Sequence, residues 1–370
     1  MATTIASTTS RKIAYVLGAG FSYGSNHTAP VGNQKIGMPL QLTLFKELCS
    51  FHFKQIRRLD ETAKAIRKYF SPKTYRASRE RGAYRHRDLF GLSVEEVVTF
   101  FDEIVTNSKG NDVGDARLAA EELQRLTVEL ISYLSTNGSP GKNKLLKSFV
   151  SRLLQTDVII SFNWDTLLDR VLMNQSNWHP AWGYGTTVRN EFEYAAREAP
   201  SIPNKYPRLL KLHGSINWVA YEANNGVRRV VMKDWHANER ERDVVMMPPK
   251  MIKPEVWGKK SESAVSGGNN FVTDDFYPAL WKEAEDQLSR CRRIVFIGYS
   301  FPPADFAVSN MLRRAISEMK VSTGRFPEVD IVDPNAARLA ERFGQSFAIE
   351  VPISNQFLSL GNYLISGRAT

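Results

Sequence analysis

Short runs of almost unbroken apolar residues alternate along the chain with longer stretches in which apolar residues recur at helical spacing. The runs VIISF (158–162) and IVFIG (294–298) carry almost no polar alternation, which predicts strands buried on both faces. Strands are predicted at Lys12–Leu17, Asp157–Phe162, Arg208–Leu212, Arg293–Gly298 and Val329–Val332. Helices between them make the fold class α/β: a Rossmann-like parallel sheet, doubly wound and covered by helices. Two further strands, Asn217–Tyr221 and Val227–Met232, flank the turn Asn224-Asn225-Gly226 and predict a hairpin beside the main sheet.

Between the first two main strands no run qualifies as a strand. Ser93-Val94-Glu95-Glu96 is a capping box that opens a helix over Val94–Val105. A longer helix is predicted over Ala116–Tyr133, then the breaker Asn137-Gly138-Ser139-Pro140-Gly141, then a helix reaching about Leu154. The domain reading is therefore a Rossmann-type unit made of residues 1–50 and 151–370, with residues 51–150 as an inserted all-helical module. Lys259–Asn270, which contains Ser-Gly-Gly-Asn-Asn, reads as a flexible surface loop.

Composition narrows the classes. A chain of 370 residues with 42% hydrophobic and 24% charged residues is globular, and disorder as its dominant state is excluded. Its two cysteines, Cys49 and Cys291, form neither a disulfide framework nor a four-thiolate zinc site, which fits a reducing cytoplasm. No stretch approaches the roughly 20 apolar residues of a membrane span, and the polar start MATTIASTTSRK lacks a signal-peptide core. The expectation is a soluble cytoplasmic protein with no membrane partner. The formal charge is +10, and residues 51–87 hold twelve Lys and Arg against three acids, a surplus of nine. The basic character is one local patch, suited to nucleic acid or an acidic protein surface, or else a solvated helix face.

The chemistry gathers where strands end. The first runs into Gly18-Ala19-Gly20-Phe21-Ser22, the second into Phe162-Asn163-Trp164-Asp165, and the third into Leu212-His213-Gly214-Ser215. The fourth continues as Gly298-Tyr299-Ser300-Phe301-Pro302 and the fifth as Asp333-Pro334-Asn335. Ligands of doubly wound sheets bind at this carboxyl edge. Gly18 suits a tight turn, Gly20 allows close backbone approach to a phosphate, and Gly24 extends the run to G-x-G-x-x-x-G. A tight strand-to-helix turn without any ligand uses the same residues. A hydride-transfer enzyme adds an acid about 20 residues on, yet residues 36–46 contain none and Glu47 is the first candidate. His213 supplies a group able to take a proton near neutral pH. Asn163 offers both donor and acceptor, and either Asn163 or Asp165 is also a good cap for a helix over Thr166–Met173.

GAGFS, Gly37-Met38-Pro39, FNWD, LHGS and GYSFPPAD, in that order, resemble the SIR2 (sirtuin-like) superfamily. The Asp305 spelling of the last motif is closest to the bacterial NAD+-hydrolase branch that serves in antiphage defence. The matching motifs span about residues 12–335, leaving the helical insertion and the last 30 residues uncovered. Protein deacylases of the superfamily carry a four-cysteine zinc module, which two cysteines cannot build, so the chain departs from the deacylase pattern and no metal is expected.

The resemblance implies NAD+ as the substrate, cleaved at the nicotinamide–ribose bond. It assigns His213 as the essential histidine, Asn163 to the ribose or the attacking water, and Asp165 to the nicotinamide carboxamide. Gly18, Ala19, Gly20, Phe21, Ser22 and Pro39 line the dinucleotide, with the Phe21 ring a mobile cover over the nicotinamide ribose. Gly298 and Ser300 face the adenosine half, and Asp333 its ribose hydroxyls. Homo-oligomerisation and an activating partner, either a HerA-type ATPase or an Argonaute-like protein, are also implied. His27, His52, His86, His179 and His236 lack such a setting and read as surface residues, while Trp164, Trp218, Trp281, Phe100 and Phe101 read as core. A catalytically silent nucleotide-binding scaffold and a nucleic-acid-binding subunit remain the alternatives.

Overall fold

The computed structural model describes residues 12–51, 56–71, 89, 91–107, 111–194, 201–222, 228–233, 244–246, 276–302 and 305–368. Most of the 51–87 basic segment and the whole Lys259–Asn270 loop lie outside them. Six parallel strands form the central sheet: β1 (Ile13–Leu17), β2 (Val158–Ser161), β3 (Arg208–Lys211), β4 (Arg293–Ile297), β5 (Glu328–Val332) and β6 (Gln356–Phe357). Their spatial order is β6-β5-β4-β1-β2-β3, which read from the β3 edge is 3-2-1-4-5-6, the order of the Rossmann sheet. Every residue of β1 is buried, as are the last four of β4 and of β5, because helices cover both faces. Helices Thr186–Glu191, Phe276–Leu288 and Phe306–Thr323 pack side by side, while Lys144–Val150 and Leu167–Gln175 pack in a second group with Leu360–Ile365.

All five predicted strands are present, four of them shortened by one or two residues at their ends and the last extended by one, to Glu328. The two predicted hairpin strands do pair, Gly214–Glu222 running antiparallel to Arg228–Met232, while the turn Asn224-Asn225-Gly226 lies outside the described residues. The pair belongs to a separate four-stranded sheet with Glu193–Tyr194 and Val244–Met246. One expectation fails in the interval after β1, which does contain strands. Thr28–Val31 and Gln34–Gly37 form an antiparallel ribbon whose polar, Pro- and Gly-bearing sequence gives no apolar signal. Tertiary contacts hold it in place, for the Tyr133 hydroxyl donates to the Pro30 carbonyl.

Among the described residues of 51–150 the regular elements are helices. The centre of this module is Asn111–Thr136, longer at both ends than the periodicity implied, and Leu44–Phe51, Ile56–Phe70 and Val94–Asn107 pack against it. The Ser93 Oγ accepts from the Glu96 amide at 3.4 Å, one half of the predicted capping box. Within the basic segment, Arg67 is fully buried, so that charge belongs to the interior of the module rather than to a surface patch.

At the opposite edge of the sheet from the strand-end motifs, Asp157 ties two central strands together. Its carboxylate accepts from the Ile13 amide (3.0 Å) and the Leu154 amide (2.8 Å), yet burial pushes the group up to about 6. The folded protein therefore holds this proton to higher pH than the unfolded chain, where a carboxyl releases it near 3.9. Stability from this group is full below about pH 4 and is lost as pH rises through about 6. Urea unfolding should show the wild type losing roughly 2–3 kcal/mol across that window relative to Asp157→Asn. Parallel pH profiles for the two proteins would rule this out.

Candidate functional site

The topological switch point falls between β1 and β4, and the two loops that leave them interlock backbone to backbone. The Gly18 amide donates to the Ile297 carbonyl (3.1 Å) and the Gly20 amide to the Gly298 carbonyl (3.0 Å). A Cβ on Gly20 would lie 2.7 Å from the Gly298 Cα, and one on Gly18 would lie 2.8 Å from the Tyr299 Cα. Gly298 has φ +60, the left-handed region that suits glycine. The neighbouring loop by itself thus requires glycine at all three positions. A Cβ on Gly24 would meet nothing within 4 Å, so the third glycine of the G-x-G-x-x-x-G run has no packing role.

Beside this joint, the loops after β1 and β2 share a directed chain of hydrogen bonds. Asn163 Nδ2 donates to the Gly18 carbonyl (2.9 Å) and to Ser22 Oγ (3.1 Å). Because a carbonyl only accepts, the orientation of this amide is fixed, and Oδ1 remains as its acceptor end. Ser22 Oγ in turn donates to Asp165 Oδ2 (2.7 Å), while Asp165 Oδ1 accepts from the Leu167 amide (3.1 Å). Ser22 and Asp165 are buried and Asn163 is half-buried. Asp165 is therefore an organiser: one oxygen accepts from the first amide of the helix Leu167–Gln175 and the other holds the serine that holds Asn163.

His213 follows β3 and is half-buried. Its ring lies 5.0 Å from the Phe162 ring and 6.4 Å from that of Trp281. Phe162 also meets the Tyr299 ring at 5.1 Å, so one aromatic side chain spans the ends of β2, β3 and β4. The Tyr299 hydroxyl donates to Asp305 Oδ2 (2.9 Å), which gives the aspartate of the PPAD motif its task of steadying the loop after β4.

The remaining expected residues divide. Ala19 and Ser300 are exposed, and Pro39 is half-buried. The Ser300 carbonyl lies 3.5 Å from an Arg342 guanidinium nitrogen. Asp333 is half-buried and its Oδ1 accepts from the Asn335 amide (2.8 Å) in a local turn. A shallow groove between Ala337, Ala340, Gly344 and Ile349 lies along the helix Ala336–Phe347 and includes none of these residues.

Three expectations are corrected. The Phe21 ring is buried edge-on against Phe149 at 5.4 Å, so it belongs to the core and is no mobile cover. His27 is buried, not a surface residue: its Nε2 donates to the Leu134 carbonyl at 2.8 Å, tying the strand ribbon to the long helix of the insertion. His179 is half-buried and caps the helix Pro180–Gly183, its Nδ1 accepting from the Ala181 amide at 3.2 Å. His52, His86 and His236 lie outside the described residues. Trp218, Trp281 and Phe101 are core as expected, whereas Trp164 and Phe100 are half-buried.

Sequence reading missed Lys211 and Asp169, a fully buried charged pair beneath the Asn163–Asp165 turn. The signal was present, because Lys211 interrupts the apolar run RLLKL just where a buried position is due. Among the described residues, no group of three or more His, Cys, Asp or Glu side chains gathers to hold a metal. Nor is any described helix long and apolar enough to cross a membrane. No family model and no curated protein matches the chain.

Proposed function

We propose that the chain is a sirtuin-like NAD+ glycohydrolase that releases nicotinamide and ADP-ribose, acting as an NAD-depleting effector of bacterial antiphage defence. The observation that carries this reading is the fixing of Asn163 by Gly18 and Ser22 beside the switch point of a 3-2-1-4-5-6 sheet, with His213 at the end of the next strand. NAD+ supplies a cationic leaving group, nicotinamide, whose departure takes the bonding electron pair and leaves positive charge on the ribose carbon. Asn163 Oδ1 serves as acceptor for a ribose hydroxyl or the incoming water. His213 takes the proton that the water loses as its oxygen bonds to the ribose carbon. Asp165 and Ser22 keep the Asn163 amide in register, and the ledge of Phe162 and Trp281 shields the reacting side from bulk water. The exposed Ser300 and the half-buried Asp333 sit on the β4–β5 side, where the adenosine half belongs in this reading. Self-assembly and an activating protein partner are part of the same proposal.

A product-resolved NAD+ assay, run with and without candidate partners, tests it. Wild type should generate nicotinamide and ADP-ribose in equal amounts, and Asn163→Ala should slow this roughly 10- to 100-fold. If wild type consumes no NAD+ under any of these conditions, the reading fails.

A further inference from the structure

Lys211 closes β3, two residues before His213, and is 1% exposed. A lysine in such a place has to be paired and hydrogen-bonded. Its Nζ donates to the Asp165 carbonyl and lies 3.5 Å from both the Trp164 carbonyl and Asp169 Oδ1. The Trp164 carbonyl also accepts from the Ile216 amide (3.0 Å) and from Ser215 Oγ (3.4 Å). Asp169 accepts from the Tyr184 hydroxyl, which accepts from Asn217 Nδ2 at 2.8 Å. Asn217 Nδ2 also donates to the Lys233 carbonyl (2.7 Å). The network thus begins on the turn that carries Asn163 and Asp165, passes through the residue that leads to His213, and reaches Asn217 on the strand that starts within LHGS.

Energetics point away from stability as its purpose. A buried ion pair gives back in attraction about what it loses in hydration, and apolar residues of similar volume serve packing as well or better. Burial pushes the Asp169 carboxyl above its usual range and the Lys211 charge opposes that push, so each member is tolerable only with the other. What an apolar pair would lack is direction, since it could not hold two successive carbonyls of an irregular turn.

We propose that Lys211, paired with Asp169, is a positioning residue that sets the Asn163 turn against His213 for the NAD+ cleavage proposed above, on which this inference rests. The test is Lys211→Met/Asp169→Asn, which removes both charges together and leaves no buried ion unpaired. Thermal unfolding, steady-state NAD+ hydrolysis and ADP-ribose affinity are measured on it. The expected result is a folded protein with kcat lowered roughly 10- to 100-fold and ADP-ribose affinity within about threefold of wild type. Tyr184→Phe, which deletes one hydroxyl and no charge, should lower kcat in the same sense by a smaller factor. It decides the question if the double variant fails to fold. Unchanged kcat in the folded double variant, or in Tyr184→Phe if that variant alone folds, overturns the role of Lys211 while wild-type activity stands. Absence of wild-type activity instead overturns the parent reading.

Discussion

His213→Ala should lower NAD+ consumption by roughly 10²- to 10⁴-fold, the contribution of a positioned general base, with little change in the melting transition. The small structural cost follows from the setting: the ring is half-buried and its aromatic neighbours, Phe162 and Trp281, also pack on other partners. Packing and proton transfer are separable here. His213→Phe keeps an aromatic ring against Phe162 and deletes both nitrogens, so it should be as inactive as His213→Ala. Were the phenylalanine variant active and the alanine variant not, the histidine would be a packing element and the base would lie elsewhere. An alanine variant as active as wild type would remove His213 from the chemistry altogether.

Which parts of this molecule were legible in its sequence depends on where the information sits. VIISF and IVFIG announce strands because helices press on both faces and exclude polar residues from either. The two-residue strand Gln356–Phe357 gives no such announcement, because it lies at the sheet edge with both side chains only half-buried. The ribbon Thr28–Gly37 is invisible for a related reason. The contacts at the ribbon and at His27 just before it come from residues a hundred positions away, the Tyr133 hydroxyl on Pro30 and the Leu134 carbonyl on His27, and neither leaves a local pattern.

The site shows the same division. Gly18, Gly20 and Gly298 stand out in the sequence, but composition cannot say what crowds them, and the crowding comes from the protein's own backbone. Phe21 looks like a cleft residue from its place in the glycine loop. It faces the core because the first turn of the helix Ala19–Gly24 directs its side chain onto Phe149. Lys211 interrupts the run RLLKL, but the partners that let it be buried, Asp169 and the carbonyls of Trp164 and Asp165, lie more than forty residues away and leave no local pattern beside it.

The glycine joint carries the second large effect. Gly298→Ala should destabilise the fold by roughly 2–5 kcal/mol, combining the cost of a left-handed non-glycine residue with that of steric overpacking. The new Cβ would lie within 2.5 Å of the Gly20 Cα and closer still to the Gly20 carbonyl carbon and the Phe21 nitrogen, and backbone on both sides has no rotamer by which to yield. Gly24→Ala is the matched control in the same glycine-rich stretch. With nothing within 4 Å of its Cβ, it should shift stability by less than about 0.5 kcal/mol. Urea midpoints for the two variants measure both. A Gly298→Ala protein within about 1 kcal/mol of wild type would mean that the loops after β1 and β4 are not locked together. A folded fraction of Gly298→Ala should also turn over NAD+ poorly, because moving one loop carries the Gly18 carbonyl away from Asn163 Nδ2 and frees the amide to turn. Stability and site geometry are set at one joint, so a substitution there should not separate them.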